Sequence, residues 1–441
     1  MTRLNIAVLL SVLTVPAVSQ AADTLWTRTF FRGEQCVPAH TRCTNWTNYV
    51  TVGVSENGTM GTALLSYADD GTLLWSRYIK PHIYDQPTAL AVDGSGNPLV
   101  GITADTMPQF SYLVRFNPAG ETIWTRRIPN TQPRALAIDK GSNAYVIGYP
   151  LPAGQDSLWL ARLDQYGNIV WSRNCKVATN HTVAGIGVDR FGNILAALSV
   201  TISGGQQPML VKFNSEGSVV WKKQPSNIGS EFFSLAVEST GISYATTFSR
   251  LVKFDTAGNR VWSVTLPSNT ARDVAIDEDG VYIAYANNYD FAVRMYTFGG
   301  QQVRSATAVR PTRDMPISLS IGHGQKIFVS GIAQDGSVYK AMTVSFLPLS
   351  GSVGVAEPTT NLSANALLRN RLLIWHAPVA GRYSFSFFDC RGALAAPVHT
   401  LHLASGDHLL SLPSSLAAGI HFLTVQTPEG TCHTKLITIT R

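Results

Sequence analysis

Lysine and glutamate are scarce, at 10 and 9 residues in a chain of 441. Both favour helices, so their scarcity beside plentiful Thr, Val, Tyr, Phe and Trp argues for strands. Charged residues make up only 14% of the chain against 45% hydrophobic, which excludes a disordered polymer. The 36 Gly and 22 Pro follow no collagen period. The net charge of +6 is spread along the chain, and no stretch is basic enough to argue for nucleic acid. After the first residues there is no run of 18 apolar positions, so the mature chain contains no transmembrane helix. No two of the five cysteines are adjacent, and their spacings do not match zinc sites. Ser/His/Asp, Cys/His and paired-carboxylate arrangements are missing, as are phosphate loops. The sequence therefore gives no catalytic residue, no cofactor and no metal ligand, and it leans away from an enzyme.

Arg3 precedes an apolar run from Leu4 to Val15, and Pro16 leads into Ala17-Val-Ser-Gln-Ala21, with small residues where a signal peptidase reads. Residues 1–21 read as a secretory signal peptide; the competing reading, a membrane anchor, needs about 20 apolar residues. The mature chain then begins near Ala22 and works where thiols oxidise. Cys36 and Cys43 close a short loop suited to a disulfide worth roughly 2 to 3 kcal/mol. Cys390 and Cys432 form a second candidate pair, which leaves Cys175 over.

Five segments place Trp four residues after Gly: Gly71 and Trp75, Gly120 and Trp124, Gly167 and Trp171, Gly217 and Trp221, Gly258 and Trp262. Trp26 lies 49 residues before Trp75, and Arg304 takes the Trp place 42 residues after Trp262. That makes seven units of 41 to 50 residues, each with four strand-like runs. Such a unit cannot bury both faces alone, and the closed solution is a seven-bladed β-propeller over residues 22–350. The last unit stops near Phe346 without its Trp strand, while the mature chain opens with one around Trp26; the first strand should complete the last blade.

The recurring Trp26, Trp75, Trp124, Trp171, Trp221 and Trp262 read as packing between blades, with an Arg two residues on in the first four covering the ring. By strand parity, the short Asp- and Gly-containing turns share one face. The variable connections share the other: Ile79 to Pro87, Ala104 to Ser111, Tyr149 to Ser157, Cys175 to Thr182, Ser203 to Pro208 and Ser305 to Pro316. A ligand is expected on that second face.

The units resemble bacterial β-propeller repeats of surface and secreted proteins through the run Ala-(Ile/Val)-Asp-x-x-Gly-Asn and the later (Arg/Lys)-(Phe/Leu)-(Asn/Asp)-x-x-Gly. They are also similar to the tryptophan-docking repeats of pyrroloquinoline quinone dehydrogenases and of outer-membrane assembly propellers. The dehydrogenase family implies eight blades, a vicinal disulfide and acidic calcium ligands, whereas seven units are counted and no cysteines are adjacent.

Residues 351–365 read as a linker, and 366–441 as a small immunoglobulin-like β-sandwich, so the fold class is all-β throughout. Gly381-Arg-Tyr-Ser-Phe-Ser-Phe-Phe-Asp389-Cys-Arg-Gly392, then Leu416-Ala-Ala-Gly419-Ile-His-Phe-Leu, then Lys435-Leu-Ile resemble, in order, the C-terminal sorting domain of the type IX secretion system. His421 stands where that family has Tyr. The resemblance implies Asp389, Gly392, Gly419 and Lys435 as motif residues and the type IX machinery as partner. It also implies passage across the outer membrane, followed by release or attachment at the cell surface. An ordinary immunoglobulin-like adhesion module is the alternative for this segment. For the whole chain the leading expectation is a noncatalytic scaffold that binds a surface glycan or protein. An extracellular hydrolase, a quinone-dependent oxidoreductase and a structural surface protein stand as alternatives.

Overall fold

The computed structural model describes residues 24–347 and 349 except 45–46, 81, 105–109, 151–156, 178–179, 203–204, 267–270 and 311–312. In the C-terminal part it describes 366–439 except 370–371, 378, 389–393, 405, 413–415, 417–418, 427 and 429–431. The signal-peptide reading and the motif residues Asp389 and Gly392 lie outside the described residues, as does Cys390 of the second cysteine pair.

Seven four-stranded antiparallel sheets follow one another along residues 24–346. Blades 1 to 6 span 35–79, 85–129, 131–176, 181–223, 232–265 and 271–308, each strand pairing with the next in sequence. Blade 7 takes three strands from 313–346 and its outermost strand from Thr24–Phe30, which pairs antiparallel with Val338–Phe346 and sets Trp26 opposite Ser345. The innermost strands pack on one another in turn, and Arg313–Ile321 of blade 7 returns to Gln35–Cys43 of blade 1. The ring is closed, and the fold is a seven-bladed β-propeller. Its cores lie between blades: Tyr145, Ile147, Leu158 and Leu160 of blade 3 pack with Ile186, Ile194, Ala196 and Leu198 of blade 4. No helix among the described residues is long and apolar enough to cross a membrane.

The turn between the third and fourth strands of each of the first six blades holds a glycine at φ between +78° and +86°, where L side chains are strained. A Cβ on Gly71, Gly120, Gly167, Gly217, Gly258 or Gly300 would sit 2.5 to 3.1 Å from the indole of Trp26, Trp75, Trp124, Trp171, Trp221 or Trp262, each ring belonging to the preceding blade. The indole N–H of Trp26 donates to the Asp69 carbonyl at 2.9 Å, Trp75 to Pro118 at 2.8 Å and Trp124 to Gln165 at 3.0 Å. Arginine Nε closes the same joints, from Arg28 to the Gly71 carbonyl at 2.7 Å, Arg77 to Gly120 at 2.6 Å and Arg126 to Gly167 at 2.7 Å. Arg304 departs from the pattern for a topological reason. Blade 7 draws its outer strand from the chain's other end, so it has no third-to-fourth turn and no glycine on which a Trp from blade 6 could rest.

The closing seam is polar. The Asp273 carboxylate of blade 6 accepts the Ser318 hydroxyl at 2.9 Å and the Leu319 N–H at 2.8 Å from blade 7, and it also accepts the Ser234 hydroxyl of blade 5. Arg42 of blade 1 stands 3.8 Å from it. His40 occupies an inner-strand place held in blades 2 to 4 by Ala89, Ala135 and Gly185, and its Nε2 lies 3.0 Å from the Thr88 carbonyl.

The unit Gly354–Arg441 is compact by itself. It contains a three-stranded sheet, 366–369, 372–377 and 406–411, and a four-stranded sheet in the order 394–403, 381–388, 419–426, 432–439. Tyr383, Phe385 and Phe387 alternate onto the inner face of the larger sheet beside Leu423 and Val425, with Leu410 and Leu412 packed against them.

Cys36 and Cys43 correct the sequence expectation. Both lie on one continuous strand, Gln35–Cys43, whose hairpin turn comes afterwards, where the Thr44 N–H meets the Thr47 carbonyl. Seven residue steps along the strand separate them by about 20 Å, far beyond the roughly 4.4–6.8 Å between Cα atoms that a disulfide spans. Both are free thiols, and burial pushes Cys36 up to about 11 and Cys43 to about 12.

Gly167→Ala, which combines φ +81° with a 2.8 Å approach to Trp124, should lose roughly 2 to 4 kcal/mol in urea denaturation. Gly336→Ala has φ +62° and open space around it, and should lose only about 1 kcal/mol. Equal losses would show that backbone strain, and not the indole seat, sets the sensitivity. Burial, helped by Arg42, pushes His40 down to about 4 from 6.5. The unfolded chain therefore binds a proton that the fold refuses, so this contribution is intact above pH 6.5 and drains as pH falls toward 4, by roughly 3 kcal/mol in total. Thermal melts from pH 7 to 4 should fall more steeply for the wild type than for His40→Gln.

Candidate functional site

Every innermost strand carries a β-bulge within its first five residues, near the face of the variable connections. The extra residues are Ala39, Thr88, Arg134, Ala184, Phe233, Arg272 and Ile317. A bulge re-aims the side chain it carries. In blades 5 and 6 this brings Phe233 and Arg272 together, with the guanidinium 5.4 Å from the ring centroid.

A continuous stripe builds on that pair. Phe248, from the loop between the second and third strands of blade 5, meets Phe233 with centroids 6.1 Å apart. Arg272 Nη2 reaches Met315 Sδ of blade 7 at 3.9 Å. Two residues before Met315, Arg313 lies 4.9 Å from the Tyr289 ring of blade 6. Phe248, Tyr289 and Met315 are 43%, 59% and 40% exposed, a large apolar area in so small a space. Among the described residues neither Arg272 nor Arg313 pairs with a carboxylate; the adjacent Asp314 faces Arg310 at 3.7 Å.

Tyr289 is held under strain. With Asn288 it forms the two-residue turn between Asn287 and Asp290, at φ 51° and 68°. Both values suit a type I′ turn, in which the second place is ordinarily Gly; a bulky residue there costs about 1 kcal/mol or more. The Asp314 N–H donates to the Tyr289 carbonyl at 2.7 Å and ties the turn to blade 7. The outcome is an aromatic ring presented to solvent beside a guanidinium.

The same face carries a histidine–aspartate pair in blade 2. Asp85 is fully buried and accepts the His82 backbone N–H at 2.7 Å, while its other oxygen lies 3.4 Å from His82 Nδ1. The imidazole stacks on Tyr112 with centroids 5.5 Å apart and meets the edge of Phe110. Burial, with Asp85 adding, raises the Tyr112 phenol above its ordinary range. A carboxylate-oriented imidazole can move a proton, yet the neighbouring Ser111 hydroxyl is directed at the Thr131 carbonyl at 2.5 Å. The hydroxyl that does meet the imidazole is that of Tyr112, at 3.1 Å.

The residues singled out by sequence lie elsewhere. The six Trp residues lie in the outer strands, each against the next blade. Cys175 is half-buried on the outer strand of blade 3, its Sγ 3.8 Å from the Gly217 carbonyl, and burial raises its thiol. Gly419 opens one strand of the C-terminal unit, and Lys435 and Cys432 lie on another. The short-turn carboxylates serve their own turns: Asp93 accepts from the Ser95 and Asn97 N–H groups and pairs with Arg115, and against the opposing effect of burial these contacts hold its carboxyl below the usual range. Of the variable connections, Ile79 to Pro87 is described except for residue 81, and the others lie partly outside the described residues. Sequence reasoning named the face of the variable connections as the place to look and did not name the stripe, since no spacing rule announces a bulge.

No model of a known protein family matches this chain, and no curated protein matches it. Among solved structures it is similar to a protein of unknown function from Bacteroides caccae, with 12% identity, a TM-score of 0.41 and coverage of 62% of this chain and 94% of that one. The WD40 domain of Neurospora crassa Pan2 gives 12% identity, a TM-score of 0.46 and coverage of 70% and 89%. Virginiamycin B lyase from Staphylococcus aureus gives 9%, 0.48, and 73% and 98%. Likenesses this remote leave the fold to rest on the chain's own strand pairing and say nothing of chemistry.

Proposed function

We propose that this chain is a noncatalytic docking scaffold which holds an acidic segment of a protein partner on the stripe from Phe248 to Tyr289. One observation carries the reading: two guanidinium groups, each set over an aromatic ring and without a carboxylate partner among the described residues, stand among exposed Phe, Tyr and Met side chains. Those residue types are the ones enriched at the centres of protein interfaces, and the unpaired charge selects an acidic partner. A surface glycan is the second reading, favoured by the flat exposed rings of Phe248 and Tyr289. The hydrolase alternative would rest on His82 and Asp85.

The export address belongs to the same proposal. The apolar run Leu4 to Val15 and the ordered C-terminal motifs around Asp389 and Gly419 support a secreted or cell-surface protein that a signal peptide and a type IX sorting domain carry outward.

Peptides selected from a random display library on the mature protein should be rich in Asp and Glu. Their affinity should fall at least tenfold on Arg272→Ala or Arg313→Ala, while Tyr289→Gly should weaken binding and add about 1 kcal/mol of stability. Neutral peptides indifferent to these changes, or glycans captured on an array in their place, would overturn the reading. In a host with type IX secretion, a chain ending at Val353 should accumulate in the periplasm; its arrival at the surface would remove the sorting role from 354–441.

A further inference from the structure

An arginine bridges three of the six indole joints, while Arg173 of blade 3 donates to the Ser172 carbonyl, Val264 takes the place in blade 5, and the joint between blades 4 and 5 carries a lysine. Where Arg28, Arg77 and Arg126 bridge to a glycine carbonyl, the position two residues after Trp221 is Lys223. Its ammonium reaches the Asn259 side-chain carbonyl instead, so no guanidinium spans to Gly258. The outer strand of blade 4, Val219–Lys223, is also the shortest of the seven outer strands. The result is a groove of about 370 Å3 lined by Lys223, Gln224, Pro225, Ser226, Asn259 and Arg260, within the size range of small-molecule sites.

We propose that this groove binds an anionic saccharide, a sugar ring bearing sulfate, phosphate or carboxylate. Arg260 is fixed at one wall, its Nη1 donating to the Ser226 carbonyl at 3.2 Å, and Lys223 stands at the other. Lys222, next along the strand, donates to the Lys176 and Val177 carbonyls. None of the three cations pairs with a carboxylate among the described residues. The acid on the neighbouring turn, Asp255, is committed to the N–H groups of Ala257 and Asn259 and to the Asn259 amide. Gln224, Ser226 and Asn259 supply the neutral donors and acceptors that ring hydroxyls require. The site lies on the outer rim between blades 4 and 5, away from the stripe on blades 5 to 7, and does not depend on the docking reading.

Calorimetric titration of the mature protein with sulfated and unsulfated dextran oligosaccharides tests it. The sulfated form should bind and the unsulfated form should not. Arg260→Gln and Lys223→Gln should each weaken binding at least tenfold, whereas Lys140→Gln, an exposed lysine on a blade 3 turn, should leave affinity within twofold. Lys223→Arg is the decisive variant: it keeps the charge but gives the side chain a reach to the Gly258 carbonyl that would close the groove, and binding should fall tenfold with an unchanged circular dichroism spectrum. Failure of the sulfated form to bind, equal binding of the two dextrans, equal losses for Lys140→Gln and Lys223→Gln, or undiminished binding by Lys223→Arg would overturn the proposal.

Discussion

An indole seated on the bare α-carbon of the next blade is the contact that joins one four-stranded sheet to another. It needs two residues about 43 positions apart: a Trp in an outer strand and a glycine whose positive φ both turns the chain and leaves room for the ring. Burial of each ring is worth roughly 2 to 3 kcal/mol, and the indole N–H finds a carbonyl in the turn below. Six such joints serve seven blades. The seventh interface is made differently, because its turn is missing wherever chain termini are paired in one sheet; there the Asp273 carboxylate gathers Ser234, Ser318 and Leu319 from blades 5 and 7.

This joint explains why so much of the fold is legible in sequence. Trp and Gly have no cheap substitutes at their two places, so the repeat shows through while other positions drift among apolar residues. Blade count, closure by the strand around Trp26 and the face bearing the variable connections all descend from that spacing. The misreading of Cys36 and Cys43 has an equally physical origin. Pro38, Ala39 and His40 between them suggest a turn, but the interruption is a bulge in a strand that continues to Cys43. A bulge leaves no mark on composition, and the same blindness hid Phe233 and Arg272. The strain at Tyr289 was hidden too, since only the backbone reveals that a tyrosine stands where the turn calls for glycine.

Repeat proteins make departure from the repeat informative. At positions where every blade faces the same environment, a different residue signals a different local demand. Arg304 answers a missing turn, and His40 joins Ser234, Asp273 and Ser318 in a polar seam at the place where blades 2 to 4 use Ala or Gly. Lys223 answers no such demand. Its blade has a normal glycine turn ahead of it in Gly258 and a Trp221 ring docked there, the same setting in which Arg77 reaches the Gly120 carbonyl. At that place the lysine reaches the Asn259 side chain and leaves a polar groove beside Arg260. The propeller's architecture thus supplies its own reference state, and the places where a side chain forgoes an available structural contact are where a ligand's requirements show.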